Sequence, residues 1–142
     1  MATAYTATSV PTSTVVAARA GVVHAVKASF ALSAALVKDD TIAMVTVPAG
    51  HRILDAILVS DDLDADGPTI TLDVGIAGGD TDMLFAADTV AQGGGSSRPS
   101  AATAFRDVAT TADRTVQVLV KAAPTSGATT GSIDLIVFYQ AD

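Results

Sequence analysis

The stretch SDDLDADGPTITLDVGI, residues 60–76, decides how this chain folds. Its second half alternates. Ile70, Leu72, Val74 and Ile76 share one parity, and Thr69, Thr71, Asp73 and Gly75 share the other. Period two is the mark of a strand with one face turned inward. The first half is a turn, and it carries the chain's densest cluster of acids. Asp62, Asp64 and Asp66 alternate ahead of Gly67, and Asp73 follows Asp62 by eleven residues. A calcium loop takes oxygens from positions 1, 3 and 5, turns on a Gly at 6 and closes with a bidentate acid at 12. Here the closing acid sits inside the strand. Six extended residues from 68 to 73 span about 20 Å at ~3.3 Å per residue, so Asp73 is carried away from Asp62. The acids are therefore read as a solvated turn whose carboxylates bond nearby backbone N–H groups. A calcium ion held by Asp62, Asp64 and Asp66, with Asp61, carbonyls and water, is the reading kept beside it.

Composition extends the strand reading to the whole chain. Of 142 residues 49% are hydrophobic, mostly Ala, Val, Leu and Ile, and only 4% are aromatic. All 15 acids are Asp, a turn and cap residue that forms helices poorly. Thr and Val, abundant here, favour strands. The net charge of −7, with 8 scattered Lys and Arg, argues against nucleic acid, which needs a basic face to meet phosphates. No apolar run reaches the length of a membrane span, and the opening residues lack the plan of a signal peptide. With 0 cysteines there is no disulfide framework.

The pattern is regular from Gly21 onward. Val22, Val26, Phe30 and Leu32 share one parity, interrupted by His24. TIAMVTV (residues 41–47) and RILDAILVS (52–60) follow, joined by a turn in which Pro48 fixes φ and Gly50 is free to go left-handed. The near-continuous apolarity of 52–60 predicts a strand covered on both faces. Residues 81–92 read as a short strand or a helical turn, 93–100 as a flexible Gly-rich loop, and 102–110 as a strand. RTVQVLVKA (114–122) alternates, 123–131 is a loop, and SIDLIVFYQ (132–140) closes the chain. The expected fold is all-β: a jelly-roll-like sandwich or barrel of about eight antiparallel strands, with one domain over 21–142. Residues 1–20 read as an extended N-terminal arm, with Tyr5, Val10, Val15 and Val16 as its anchors. A core built from small Ala and Val, without disulfides, favours help from a partner surface.

No catalytic constellation stands out. His24 and His51 are the only histidines. His24, on an apolar parity, is expected in the core or an interface, and His51, after a turn, at the surface. The Gly-rich loop has neither the strand–loop–helix setting nor the Lys of a phosphate cradle. No cofactor is expected.

The segments TIAMVTVPAGHRILDAILVSDDLD and TITLDVGIAGGDTD, followed by a Gly-rich loop and two closing strands, resemble small structural proteins of tailed bacteriophages. These are capsid decoration proteins, also called head-stabilising or cement proteins, and related virion proteins. The resemblance covers roughly residues 20–140. It implies a non-enzymatic jelly-roll module, often trimeric, seated on the outer capsid surface against the major capsid protein. It also implies an arm that reaches a neighbour. The chain would be made in the host cytoplasm and end in the virion. Two other functions fit the same strands: a tail or head-fibre component binding a host surface, and a calcium-dependent carbohydrate-binding sandwich. The scarcity of rings for sugar stacking counts against the latter.

Overall fold

A computed structural model describes residues 2–7 and 22–142. Among these residues nine strands form two sheets: β1 (Ala4–Thr6), β2 (Val23–Ala31), β3 (Thr41–Val47), β4 (His51–Ser60), β5 (Thr71–Ile76), β6 (Phe85–Asp88), β7 (Gly95–Ser97), β8 (Arg114–Ala122) and β9 (Ser132–Ala141). One sheet has the order β1-β3-β8-β5-β6 and the other β2-β9-β4-β7. From β2 onward the chain crosses between the sheets at every connection except β5–β6, which is the wiring of a jelly roll. Among the described residues all pairings are antiparallel save one: β1 adds to β3 in parallel, with Tyr5 opposite Ile42. Among the described residues there is no α-helix, only 3₁₀ turns at Val90–Gln92 and Ala102–Phe105.

The core lies between the sheets and follows the period-two pattern. Val116, Val118 and Val120 of β8, and Ile133, Leu135, Val137 and Tyr139 of β9, are all fully buried. Bulges in β3 and β4 break the parity. In β3 the register slips between Ala43 and Val45, so that Met44 and Val45 are both buried. In β4 it slips between Ile53 and Asp55, so that His51 and Ile53 point inward before the bulge, and Ala56 and Leu58 after it. An extra residue on one strand shifts every later side chain by one position.

Several sequence expectations are corrected. Asp73 and Gly75 do not face solvent, and Asp73 is 2% exposed. The 77–84 segment folds back over the outer face of β5, so close that a Cβ on Gly75 would lie 2.2 Å from the Asp80 carbonyl oxygen. Conversely, β4 is not covered on both faces. Its residues alternate between buried and half-buried, because each antiparallel sheet of a sandwich packs through one face. Residues 102–110 are a 3₁₀ turn and irregular chain, not a strand. Residues 81–92 form both the short strand β6 and a 3₁₀ turn. The Gly-rich loop contributes β7, which pairs with the end of β4. His51 is buried, 4% exposed.

Candidate functional site

The acidic turn leaves β4 and crosses one end of the sandwich to β5. Leu63 plugs that end, 1% exposed, with its N–H donating to the Ala91 carbonyl at 2.8 Å. Each flanking acid then takes backbone donors. Asp61 Oδ2 accepts from the Ser132 N–H at 2.8 Å and from its hydroxyl at 3.2 Å. Asp62 Oδ1 accepts from the Asp64 N–H at 3.0 Å. Asp64 is 4% exposed, and its Oδ2 accepts from the N–H of Ile70 at 2.8 Å and from the N–H and hydroxyl of Thr69 at 2.6 and 3.0 Å. These bonds, led by that from Ile70, hold the Asp64 carboxyl below the usual carboxylate range. Asp66 stands exposed at the tip. Asp73 belongs elsewhere: its carboxylate accepts the Ala87 N–H at 2.7 Å and lies 3.6 Å from Lys121 Nζ. The turn's chemistry is that of a staple. Among the described residues no three His or Asp side chains are grouped to hold a metal ion.

At the opposite end the two histidines come together. His24 on β2 and His51 on β4 flank Tyr139 on β9, with ring centroids 5.5 and 5.6 Å from the tyrosine and 6.4 Å from each other. His51 Nδ1 lies 3.0 Å from the Ala49 carbonyl oxygen. Nε2 of both rings and the Tyr139 hydroxyl are buried without partners. Burial pushes the Tyr139 phenol above its ordinary range. A hydrolytic triad needs a nucleophile hydroxyl on the imidazole, and none is bonded to either Nε2. Their spacing along the chain gave no hint of this meeting; only the register of β2 and β4 on β9 creates it.

A small cleft of about 110 Å³ lies between 82–88 and 98–101. Two of its three charged side chains, Asp82 being the third, are already engaged. Asp88 accepts from the Val90 N–H and the Ser97 hydroxyl, and Arg98 pairs with Asp55.

Of the arm residues, Tyr5 is half-buried in β1, its ring centroid 5.1 Å from that of Phe30. The strand is held by Asp40, fully buried, whose carboxylate accepts the N–H groups of Thr3 at 2.6 Å and Val37 at 2.8 Å. Val10, Val15 and Val16 lie outside the described residues.

Neither a protein-family model nor a curated protein matches the chain. Solved structures do. A chain in the capsid of Ralstonia phage GP4 is 38% identical, with 92% of this chain and 91% of that one covered and a TM-score of 0.83. A chain in the cyanophage Pam1 capsid asymmetric unit is 28% identical, with 92% of each chain covered and a TM-score of 0.75. A chain in the acidic stable capsid of Helicobacter pylori bacteriophage KHP30 shares the fold, at 19% identity over 86% of this chain and 90% of that one, with a TM-score of 0.57.

Proposed function

Because the chain belongs to the phage capsid-type β-sandwich proteins, we propose that it is a capsid decoration protein, a structural component that binds coat subunits and stabilises the head. The likeness to a capsid chain across nine-tenths of both sequences carries this reading. The character of the chain supports it. The buried acids are occupied in holding turns and strands together, and the acidic turn, the His–Tyr cluster and the small cleft present no assembled reaction centre. The partners are the major capsid protein and further copies of this chain, as a homotrimer on the outer surface of the virion. Residues 1–20 form the arm that ties the module to its neighbours. Tyr5, packed on Phe30, roots the arm in the sandwich, and Val10, Val15 and Val16 provide the apolar contacts beyond.

The test is reconstitution. Purified protein is added to particles stripped of it, and bound copies are counted alongside the temperature at which the heads release DNA. Many bound copies per head and a raised release temperature are expected, with binding lost when residues 1–20 are deleted. A few copies confined to the tail would end the decoration reading in favour of a tail or fibre component. Full binding by the truncated chain would end the arm.

A further inference from the structure

Of the 15 aspartates in the chain, only Asp66 is followed by a glycine. Each of the others precedes a residue with a side chain, or ends the chain at Asp142. The structure sets Asp66 apart as well. It is exposed at the tip of the acidic turn. Asp61, Asp62 and Asp64 beside it are occupied by donors from Ser132, Asp64, Thr69 and Ile70. No hydrogen bond or ion pair among the described residues engages the Asp66 carboxyl.

Both feet of the tip are fixed. The Ala65 N–H donates to the Ser126 carbonyl at 3.0 Å, and the Thr69 N–H lies 2.8 Å from the Gly67 carbonyl oxygen. Between them Gly67 has φ +137°, and nothing stands within 4 Å of the place a Cβ would take. A glycine leaves its own amide nitrogen uncrowded and open to close approach. The Gly67 N–H is turned toward the Asp64 carboxylate, as the weakest of the bonds that hold that acid charged. An Asp side chain is short enough to meet the backbone beside it.

We propose that the Asp66–Gly67 step is a site of spontaneous covalent modification, where the Asp66 side chain closes on the Gly67 nitrogen and reopens as isoaspartate. In the closing step the Gly67 nitrogen bonds to Cγ of Asp66 in its acid form. The Cγ hydroxyl leaves with the amide proton, as one water, and a succinimide remains. Water then adds to one of the two ring carbonyls. Addition at Cγ breaks the new bond and restores aspartate. Addition at the backbone carbonyl breaks the original peptide bond, and the chain then runs through Cγ. Nothing is oxidised or reduced, and no co-reactant besides water is needed. The link that returns Thr69 and Ile70 to the Asp64 carboxylate becomes one atom longer, which slackens those bonds.

Ageing of the purified full chain in warm neutral buffer tests this, with a synthetic peptide of residues 62–70 as the clock. Fragments of the aged chain are read by mass spectrometry and by methyl labelling with an isoaspartate methyltransferase. When half of the peptide has converted, the folded chain is expected to show a form one water lighter at residue 66. A labelled form of unchanged mass that elutes apart should accompany it. Asp66→Ser, a change at an exposed tip, should remove both. Hydrogen exchange at Thr69 and Ile70 should quicken in the labelled fraction. A folded chain without label at that time overturns the proposal. So does label that persists in Asp66→Ser or spreads evenly over the other aspartates. Unchanged exchange at Thr69 and Ile70 overturns the effect on the turn.

Discussion

Arg114 grips Asp107 with both guanidinium nitrogens, Nη1 to Oδ1 at 2.7 Å and Nη2 to Oδ2 at 2.8 Å, and together they fasten the two sheets at one end. Arg114 opens β8 in one sheet, and its Nη2 also donates to the His51 carbonyl at 3.0 Å, at the start of β4 in the other. Asp107 takes the Ile53 N–H at 2.7 Å. The side chains are 10% and 5% exposed, so the pair is shielded from solvent. Asp107→Ala strands a buried guanidinium and is expected to cost about 3–5 kcal/mol, read from the urea midpoint of the purified chain. A loss below about 1 kcal/mol would match an exposed pair and contradict this role.

Gly75 tests the covering of β5. An alanine there meets the Asp80 carbonyl at 2.2 Å and Thr81 C at 2.4 Å, both backbone atoms that cannot swing aside. Gly75→Ala is expected to destabilise by about 3 kcal/mol or more as an overpacking change. Gly78→Ala, at φ +75° with open space around it, should cost only about 1–2 kcal/mol, the strain of a left-handed alanine. Equal thermal shifts for the two variants would refute the close approach.

Asp64 makes the acidic turn sensitive to pH. Its folded carboxyl titrates below the ordinary 3.8, chiefly because the charged form accepts the Ile70 N–H. The stabilisation is therefore complete above the unfolded value and disappears as pH falls through the lower, folded one. Unfolding midpoints measured from pH 7 down to acid should drop in that window for the wild type and drop less steeply for Asp64→Asn. Parallel curves would mean that Asp64 carries none of the dependence.

Tyr139 is buried completely, and its hydroxyl has no partner. An unsatisfied buried polar group costs free energy. Tyr139→Phe keeps the ring against both imidazoles and is expected to raise stability by about 1 kcal/mol. A loss of similar size would show that the hydroxyl has a partner after all.

Asp40 fastens the first strand. Asp40→Ala removes the acceptor of the Thr3 and Val37 N–H groups and is expected to cost about 1.5 kcal/mol or more, since both bonds go to a charged group. Hydrogen exchange should quicken in residues 2–7 and at 41–43, the register partners of β1. Unchanged protection there would detach Asp40 from this task.

Much of this architecture is written in the order of residues. The alternation of 114–122 and 132–140 places Val118 and Leu135 inside without reference to anything distant, and the left-handed Gly50 at φ 76° follows from its turn. An acid-rich link between two strands was also legible at 61–67, because Asp bonds its own neighbours. Other features were hidden for a common reason. Asp73 and Gly75 sit on the parity that reads as exposed, yet a segment several residues downstream folds over them. His51 is interior because β9 brings Tyr139 alongside it. Periodicity is a local property of the backbone and reports which side chains share a face. Whether a face meets its own chain, a neighbour or water depends on segments that return from far away, and on bulges that cost no visible signal in the pattern. Strand content, and inward parity along strands such as β9 that no bulge interrupts, were thus set by the amino-acid order alone. The meeting of His24 with His51, and the grip of Arg114 and Asp107 on the start of β4, came only with the packing of the sheets, because each needs contacts between residues that lie far apart along the chain.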